Sequence, residues 1–159
     1  MSNLLVQNIK HTNGTTAQTI DSTGRIFYPT QPRFRAKGAN TSAVSSTNNI
    51  ILTATDYNVG GHYSTSTGKF TAPVDGIYLI GANIMASSSS GRLMIRLRLN
   101  DNDYIQGSNS TASNHYGDSK FTDLTQLSAG DYIYLHNAGN IDTYTLSPME
   151  CWFFGMLVA

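Results

Sequence analysis

The sequence has little cysteine and little charge, and both deficits limit what the protein can be. Cys151 is the single cysteine in 159 residues, so no internal disulfide can form. Its place in an apolar run predicts a buried core residue rather than a reactive thiol. Ten basic and ten acidic residues leave no net charge, and only 13% of residues are charged. We therefore expect no binding to nucleic acid.

Long hydrophobic runs and catalytic motifs are also missing. No apolar stretch has the length of a signal peptide or a membrane span, which predicts a protein that is neither membrane-inserted nor secreted by a standard signal. We find no Gly-x-Ser-x-Gly motif, no glycine-rich phosphate loop and no distinctive carboxylate pair. The histidines, His11, His62, His115 and His136, are scattered. We expect no enzyme, no cofactor and no metal site.

Short alternating runs separated by Gly, Asn, Asp and Ser clusters are what the sequence has instead. This pattern is typical of an all-β antiparallel sandwich, and the length fits one domain plus a short arm. The candidate strands are residues 26–28, 33–36, 49–53, 61–64, 69–72, 76–85, 92–99, 103–106, 120–125, 131–136 and 150–158.

The strand at 92–99 alternates between apolar and basic residues. Its odd positions, all Leu or Ile, predict a core face, while Arg92, Arg96 and Arg98 share the other face. Three aligned arginines are compatible with a site for phosphate or a sugar acid, but we favour a solvated face with local carboxylate partners. The following Asp101-Asn102-Asp103 predicts a hairpin turn; calcium binding is the alternative, although the twelve-residue calcium-loop pattern is absent.

The last strand is apolar on both faces. A two-sheet domain covers only one face of a strand, so we expect a neighbouring subunit to cover the other. Exposing these large side chains would forgo roughly 1.5 to 3 kcal/mol each. The predicted core face holds Cys151, Phe153, Gly155 and Leu157, and the predicted interface face holds Trp152, Phe154, Met156 and Val158.

Two further groups are candidates for binding. Tyr132 and Tyr134 alternate with apolar residues, so their rings are expected to meet another subunit or line a groove, or else to pack at a rim with exposed hydroxyls. The longest predicted loop, 107–117, combines amide, imidazole and aromatic groups suited to sugar or protein recognition; a plain solvated loop is the alternative. Its candidate receptor residues are Asn109, Asn114, His115 and Tyr116.

A set of motifs spread over roughly residues 33–159 carries a family resemblance. The motifs are Asn58-Val59-Gly60, Tyr63, Thr67-Gly68-Lys69-Phe70-Thr71-Ala72-Pro73, Gly76, Tyr78, Leu127-Ser128-Ala129-Gly130-Asp131 and Phe153-Phe154-Gly155-Met156-Leu157. Together they resemble the globular head of complement component 1q. The resemblance implies a jelly roll related to tumour necrosis factor, a tight homotrimer with the closing strand's sheet at its centre, and binding rather than catalysis. Phe154 occupies a position that is usually serine in this family.

The first thirty residues carry a separate likeness, in residues 4–10, Asn13-Gly14 and residues 17–25. These segments resemble the opening of tail-fibre and other virion proteins of marine bacteriophages. Residues 1–32 then form an extended attachment arm, which would order by pairing with its own copies or by inserting into another virion protein; a disordered tail is the alternative. Its expected contact residues are Leu4, Val6, Ile9, Ile20 and Ile26.

Together these features predict a bacteriophage virion structural protein, made in the cytoplasm of the infected bacterium. It would be a tail fibre, spike or capsid-decorating fibre whose trimeric head, residues 33–159, mediates virion attachment or binds a host-surface glycan or protein. One alternative is a carbohydrate-binding module or depolymerase component. A further alternative is an assembly or capping subunit that binds another virion protein, and a cellular complement-like protein ranks third.

Overall fold

The computed structural model describes residues 6–38, 49–139 and 150–159, with only the backbone for 86–90 and 109–116. The chain divides into two compact units, Met1–Gln31 and Pro32–Ala159. Every regular element in the described ranges is a β-strand. The all-β prediction is therefore confirmed, and the division falls one residue from the boundary expected from the sequence.

The N-terminal unit is a small three-stranded antiparallel sheet. Its strands are β1 (Asn8–Lys10), β2 (Thr16–Ile20) and β3 (Ile26–Phe27), in that order across the sheet. The sequence predicted only the third strand and an otherwise extended segment. The first two were missed because Asn, Gln and Thr replace most of the apolar residues that reveal alternation.

A compact turn joins β2 to β3. Oδ1 of Asp21 accepts hydrogen bonds from the backbone N–H of Thr23 at 2.8 Å, the Thr23 hydroxyl at 2.7 Å and the backbone N–H of Arg25 at 3.0 Å. Oδ2 accepts from Nε of Arg25 at 2.7 Å. One carboxylate therefore satisfies most of the donors of this turn.

The second unit is an antiparallel sandwich of eight strands. The strands are β4 (Arg33–Lys37), β5 (Asn49–Ile50), β6 (Ala54–Val59), β7 (Phe70–Thr71), β8 (Gly76–Leu99), β9 (Asn102–Leu127), β10 (Tyr132–Asn137) and β11 (Trp152–Leu157). What we call the first sheet of the sandwich has the order β6-β4-β11-β8-β9; in its second sheet, β5 and β7 lie beside β10, which is followed by β8 and β9. The long strands β8 and β9 contribute to both sheets, because residues 78–83 of β8 pair with β11 and residues 95–99 pair with β10.

The loop predicted at 107–117, which holds the candidate receptor residues, is wrong as a loop, because its backbone belongs to strand β9. Asn109 pairs with Met94, and His115 pairs with Ser88 on β8, whose residues 87–91 were also predicted as a loop. Asn114 and Tyr116 lie on the same strand. Runs of Ser, Thr and Asn predict loops by propensity, but the cross-strand hydrogen bonds of one long hairpin override that preference.

The strand predicted at 61–64 is also misplaced. The strand here is β6, and Gly60 and Gly61 follow it with φ values of +82° and +73°. Positive φ is tolerated by glycine and ends the extended run, so Tyr63 keeps only an isolated bridge to Phe70. The sequence pattern did not separate the strand from the turn.

Aromatic side chains from both sheets meet in one core. The Phe34 ring lies 4.7 Å from Phe70 and 5.0 Å from both Tyr63 and Phe153, measured between ring centroids. Burial of each such ring contributes roughly 1.5 to 3 kcal/mol. The core prediction for the odd positions of 93–97 is confirmed, as is that for Cys151, which is fully buried.

Candidate functional site

One face of the first sheet carries apolar side chains directed away from the core. Phe154 on β11 lies between Arg35 on β4 and Gly81 on β8. One row further along the sheet, Met156 pairs with Leu79, which in turn pairs with Leu124 on β9. Because paired residues share a face, these side chains form a continuous row across three strands.

This face leaves several large apolar side chains open to solvent. Met156 is 40% exposed, Leu124 58% and Val158 51%. A contiguous apolar patch of this kind marks a contact surface, whereas single exposed apolar residues are ordinary. We call it the assembly surface, which consists of Tyr57, Ile77, Leu79, Leu124, Trp152, Phe154, Met156 and Val158.

The sequence predicted only the β11 members of the assembly surface. Tyr57, Ile77, Leu79 and Leu124 were missed; Ile77 and Leu79 lie in one apolar run with the buried Tyr78 and Ile80, so local pattern alone did not separate their outer face. The register supplies the signal that the sequence lacks, since it sets Leu79 and Leu124 beside Met156. Their alternation with buried Tyr78, Ile80 and Thr125 assigns them to the outer face.

The aromatic part of the assembly surface is ordered within the chain. The Trp152 and Phe154 rings stack with centroids 5.7 Å apart. Nδ2 of Asn83, which pairs with Trp152, donates a hydrogen bond to the Glu150 carbonyl at 2.5 Å. Both rings are half-buried, so a partner would meet a partly preorganised aromatic surface.

A charged cluster borders the aromatic residues. The ladder between β4 and β6 has an irregularity at Arg35 and Ala36, and there Asp56 forms ion pairs with both Arg35 and Lys37. Hydrogen bonding from Lys37, followed by that from Arg35, lowers the pKa of Asp56. The ionised carboxylate offsets part of the basic charge of β4, which eases burial beside another subunit.

Tyr132 and Tyr134 lie elsewhere, on strand β10 of the second sheet. Both hydroxyls donate to the carboxylate of Asp101, at 2.6 Å and 3.0 Å. The ammonium of Lys69 lies 3.8 Å from the centroid of the Tyr132 ring. The two tyrosines therefore form a polar cluster with Asp101 and Lys69 of the same chain. The structure does not bring them onto the assembly surface.

Hydrogen bonding explains the protonation of this cluster. The hydroxyls of Tyr132 and Tyr134 lower the pKa of Asp101. The same bond raises the pKa of Tyr132, whereas burial is the main cause of the raised pKa of Tyr134. These shifts favour the state in which Asp101 is ionised and both phenols are protonated. The cluster lies beside the turn between β8 and β9.

Two members of the arginine row have a carboxylate partner, as favoured from the sequence. Arg96 and Arg98 both pair with Asp103 on the facing strand. The hairpin turn is also confirmed, with Asn100 and Asp101 at positive φ between β8 and β9. Within the described ranges, no group of three or more His, Cys, Asp or Glu side chains could hold a metal ion.

The predicted attachment residues are solvent-facing where they are described. Val6, Ile9 and Ile26 are exposed in the N-terminal unit, and Ile20 is half-buried. Leu4 lies outside the described residues. Phe27 and Tyr28 add exposed aromatic area that the sequence did not single out. A three-stranded sheet of this size has no core of its own to cover these side chains.

The fold and the uncovered sheet face define a class of protein, the trimer-forming jelly-roll domains. The sequence profile of the C1q domain matches residues 34–158. The chain therefore belongs to the C1q domain family. Among curated proteins, none matches the sequence significantly.

Solved structures show the same fold. The globular domain of zebrafish complement 1qA is similar with a TM-score of 0.67 and 17% identity, covering 81% of this chain and 98% of that one. Eiger TNF from S. frugiperda is similar with a TM-score of 0.69 and 14% identity, covering 81% of this chain and 93% of that one. Murine APRIL at pH 5.0 is similar with a TM-score of 0.66 and 12% identity, covering 80% of this chain and 99% of that one. The likeness extends over nearly the whole of each relative.

Proposed function

We propose that this protein is a non-enzymatic, homotrimeric head of a bacteriophage virion, in which sister chains cover the assembly surface. The supporting observation is the apolar patch formed by Phe154 and the neighbouring row of Met156, Leu79 and Leu124. One sandwich alone leaves this patch uncovered. A C1q-type domain commonly forms homotrimers, and three-fold closure lets each chain bury this surface against the next. In this arrangement each copy of the assembly surface is covered by a sister chain.

Substitution of the exposed centre of the assembly surface tests the trimer. Leu124→Asp and Met156→Asp place a charge where burial between chains requires an apolar group, so each is expected to yield folded monomers in light scattering after size exclusion. Val74→Asp is the matched control, because Val74 is 44% exposed and lies in a turn outside the assembly surface. A trimer that survives both interface substitutions would contradict this arrangement.

The N-terminal unit is the proposed attachment segment to the virion. Two observations support it: the resemblance of its sequence to virion proteins of marine bacteriophages, and the exposed Val6, Ile9, Ile26 and Phe27 on a sheet without a core. Contacts with another virion protein would cover these side chains. The head then presents its surface in three copies, so sites that are individually weak gain avidity through effective concentration.

Immunoelectron microscopy of phage particles from a producing culture tests whether the protein is part of a virion. An antibody against the head is expected to label particles at a fixed position. Particles from a phage that encodes Ile9→Asp and Phe27→Asp together should lose the label while the purified protein stays trimeric. Particles that never carry the protein would contradict a virion role, whatever the oligomeric state.

A further inference from the structure

A shallow hollow at the edge of the second sheet has the chemistry of a small polar binding site. It has a volume of about 270 Å³ and is lined by Arg96, Asp103, Tyr104, Ile105 and Gln106. Pockets for drug-sized ligands hold about 300 to 1,000 Å³, so this one suits a single small ring. It is separate from the assembly surface, because residues 95–99 of β8 pair with β10 in the second sheet.

Tyr104 supplies an exposed aromatic face. The ladder shifts between Leu97, which pairs with Ile105, and Arg98, which pairs with Asp103, so Tyr104 is the additional residue of a β-bulge. Bulges redirect side chains out of the regular ladder. The Tyr104 side chain is 48% exposed. Its negative ring face can stack against the polarised C–H groups of a sugar ring.

Asp103 supplies a fixed hydrogen-bond acceptor beside that ring. Nε of Arg98 donates to Oδ1 of Asp103 at 2.9 Å, and Nη1 of Arg96 donates to Oδ2. Hydrogen bonding from Arg98 lowers the pKa of Asp103, so the carboxylate is ionised at neutral pH. Its remaining lone pairs can accept from hydroxyls of a bound molecule.

Gln106 completes a set of planar polar groups. It pairs with Arg96 across the strands and is exposed. Its amide both donates and accepts, and a guanidinium offers several donors in one plane. Adjacent sugar hydroxyls also both donate and accept, so they match this mixture. Among the lining residues the charges of Arg96 and Asp103 balance, which favours a neutral ligand.

We propose that Tyr104, Asp103, Gln106 and Arg96 form a weak binding site for a neutral sugar unit of a cell-surface polysaccharide. The inference rests on the proposed function, since a host-facing trimer would bring three copies of the site to one surface. Weak individual binding is then sufficient, because the second and third contacts are intramolecular.

Saturation-transfer NMR on the full chain tests this site. The probes are the methyl glycosides of glucose, galactose, mannose and N-acetylglucosamine, with glucuronic acid as the anionic comparison. At least one neutral glycoside is expected to receive saturation. Tyr104→Ala is expected to weaken its binding about tenfold, the scale of an aromatic contact, and Gln106→Ala to weaken it as well. Tyr104→Phe should retain binding, because the ring remains.

Tyr28→Ala is the matched control, because Tyr28 is 45% exposed but lies in the N-terminal unit; it should bind as the wild type does. Binding of none of the neutral glycosides, or of glucuronic acid alone, would overturn the inference. So would unchanged binding by Tyr104→Ala, or a shift of that variant from trimer to monomer, which would show that the ring is buried between chains. A monomeric wild type that still binds a sugar would overturn the trimer and leave this site standing.

Discussion

The ring of Phe154 on β11 fills the space that a side chain at position 81 of β8 would occupy, and the residue there is Gly81. A Cβ on Gly81 would come within 2.6 Å of ring atom Cε1 of Phe154. The close approach lets the ring settle over the neighbouring strand and stack with Trp152 at 5.7 Å. Glycine at position 81 therefore shapes the aromatic part of the assembly surface.

Gly81→Ala should weaken assembly more than folding. The clash falls on the far end of a half-buried ring, which can swing outward, so the sandwich is expected to fold. The displaced ring spoils the fit between chains, and we expect at least about a tenfold weaker trimer, as for a lost close aromatic contact. Sedimentation velocity over a dilution series measures this, and an unchanged association would contradict the role of Gly81.

Gly155→Ala is the paired substitution on the opposite face of β11. Its Cβ would come 2.6 Å from Cε1 of Phe34 and 2.9 Å from Cδ1 of Ile80, both fully buried. Overpacking of this kind costs about 1 to 3 kcal/mol in the free energy of unfolding. Urea unfolding in the Leu124→Asp background separates this cost from assembly. A variant as stable as its parent would show that the core can yield there.

Thr125→Val should stabilise the fold. Oγ1 of Thr125 is buried opposite Tyr78 and has no hydrogen-bond partner among the described residues. Valine keeps the shape and removes the unsatisfied hydroxyl, so we expect a gain of about 1 kcal/mol. Thr71→Val is the control, since Thr71 is exposed on β7, away from the assembly surface, and should change stability by less than about 0.5 kcal/mol. A loss of stability in Thr125→Val would indicate a bonded hydroxyl.

The turn of the N-terminal unit should hold its carboxylate ionised in strong acid. The Thr23 hydroxyl, followed by hydrogen bonds from Arg25, lowers the pKa of Asp21 to about 2 from 3.8. A lowered pKa stabilises the turn above the unfolded pKa, and this contribution is lost as the pH falls through about 2. NMR titration of the carboxyl carbon measures it. Thr23→Val should move the pKa upward, and a wild-type value near 3.8 would contradict the turn geometry.

Alternation made most of the sandwich predictable from sequence. Leu93, Ile95 and Leu97 are fully buried, and so are Cys151 and, almost entirely, Phe153. The period of two identified the core face of 93–97, although Met94 on the opposite face is buried as well. The apolar second face of β11 likewise predicted an interface from four residues of one strand.

Pairing between distant segments could not be predicted from local pattern. Leu124 joins the assembly surface only because β9 pairs with β8 in a register that sets it opposite Leu79. The polar stretches 87–91 and 107–117 have the composition of loops, yet the backbone ladder of one hairpin makes them strands. Asp103 and Tyr104 were assigned to a turn and a short strand, and only the register between β8 and β9 reveals the bulge at Tyr104.

The most direct test of the account is sedimentation equilibrium of the full chain at micromolar concentration. Burial of the assembly surface predicts a single species of three times the 17.3 kDa chain mass, which Leu124→Asp reduces to 17.3 kDa. A wild-type protein that sediments at 17.3 kDa, with Leu124 and Met156 open to water, would contradict the central claim.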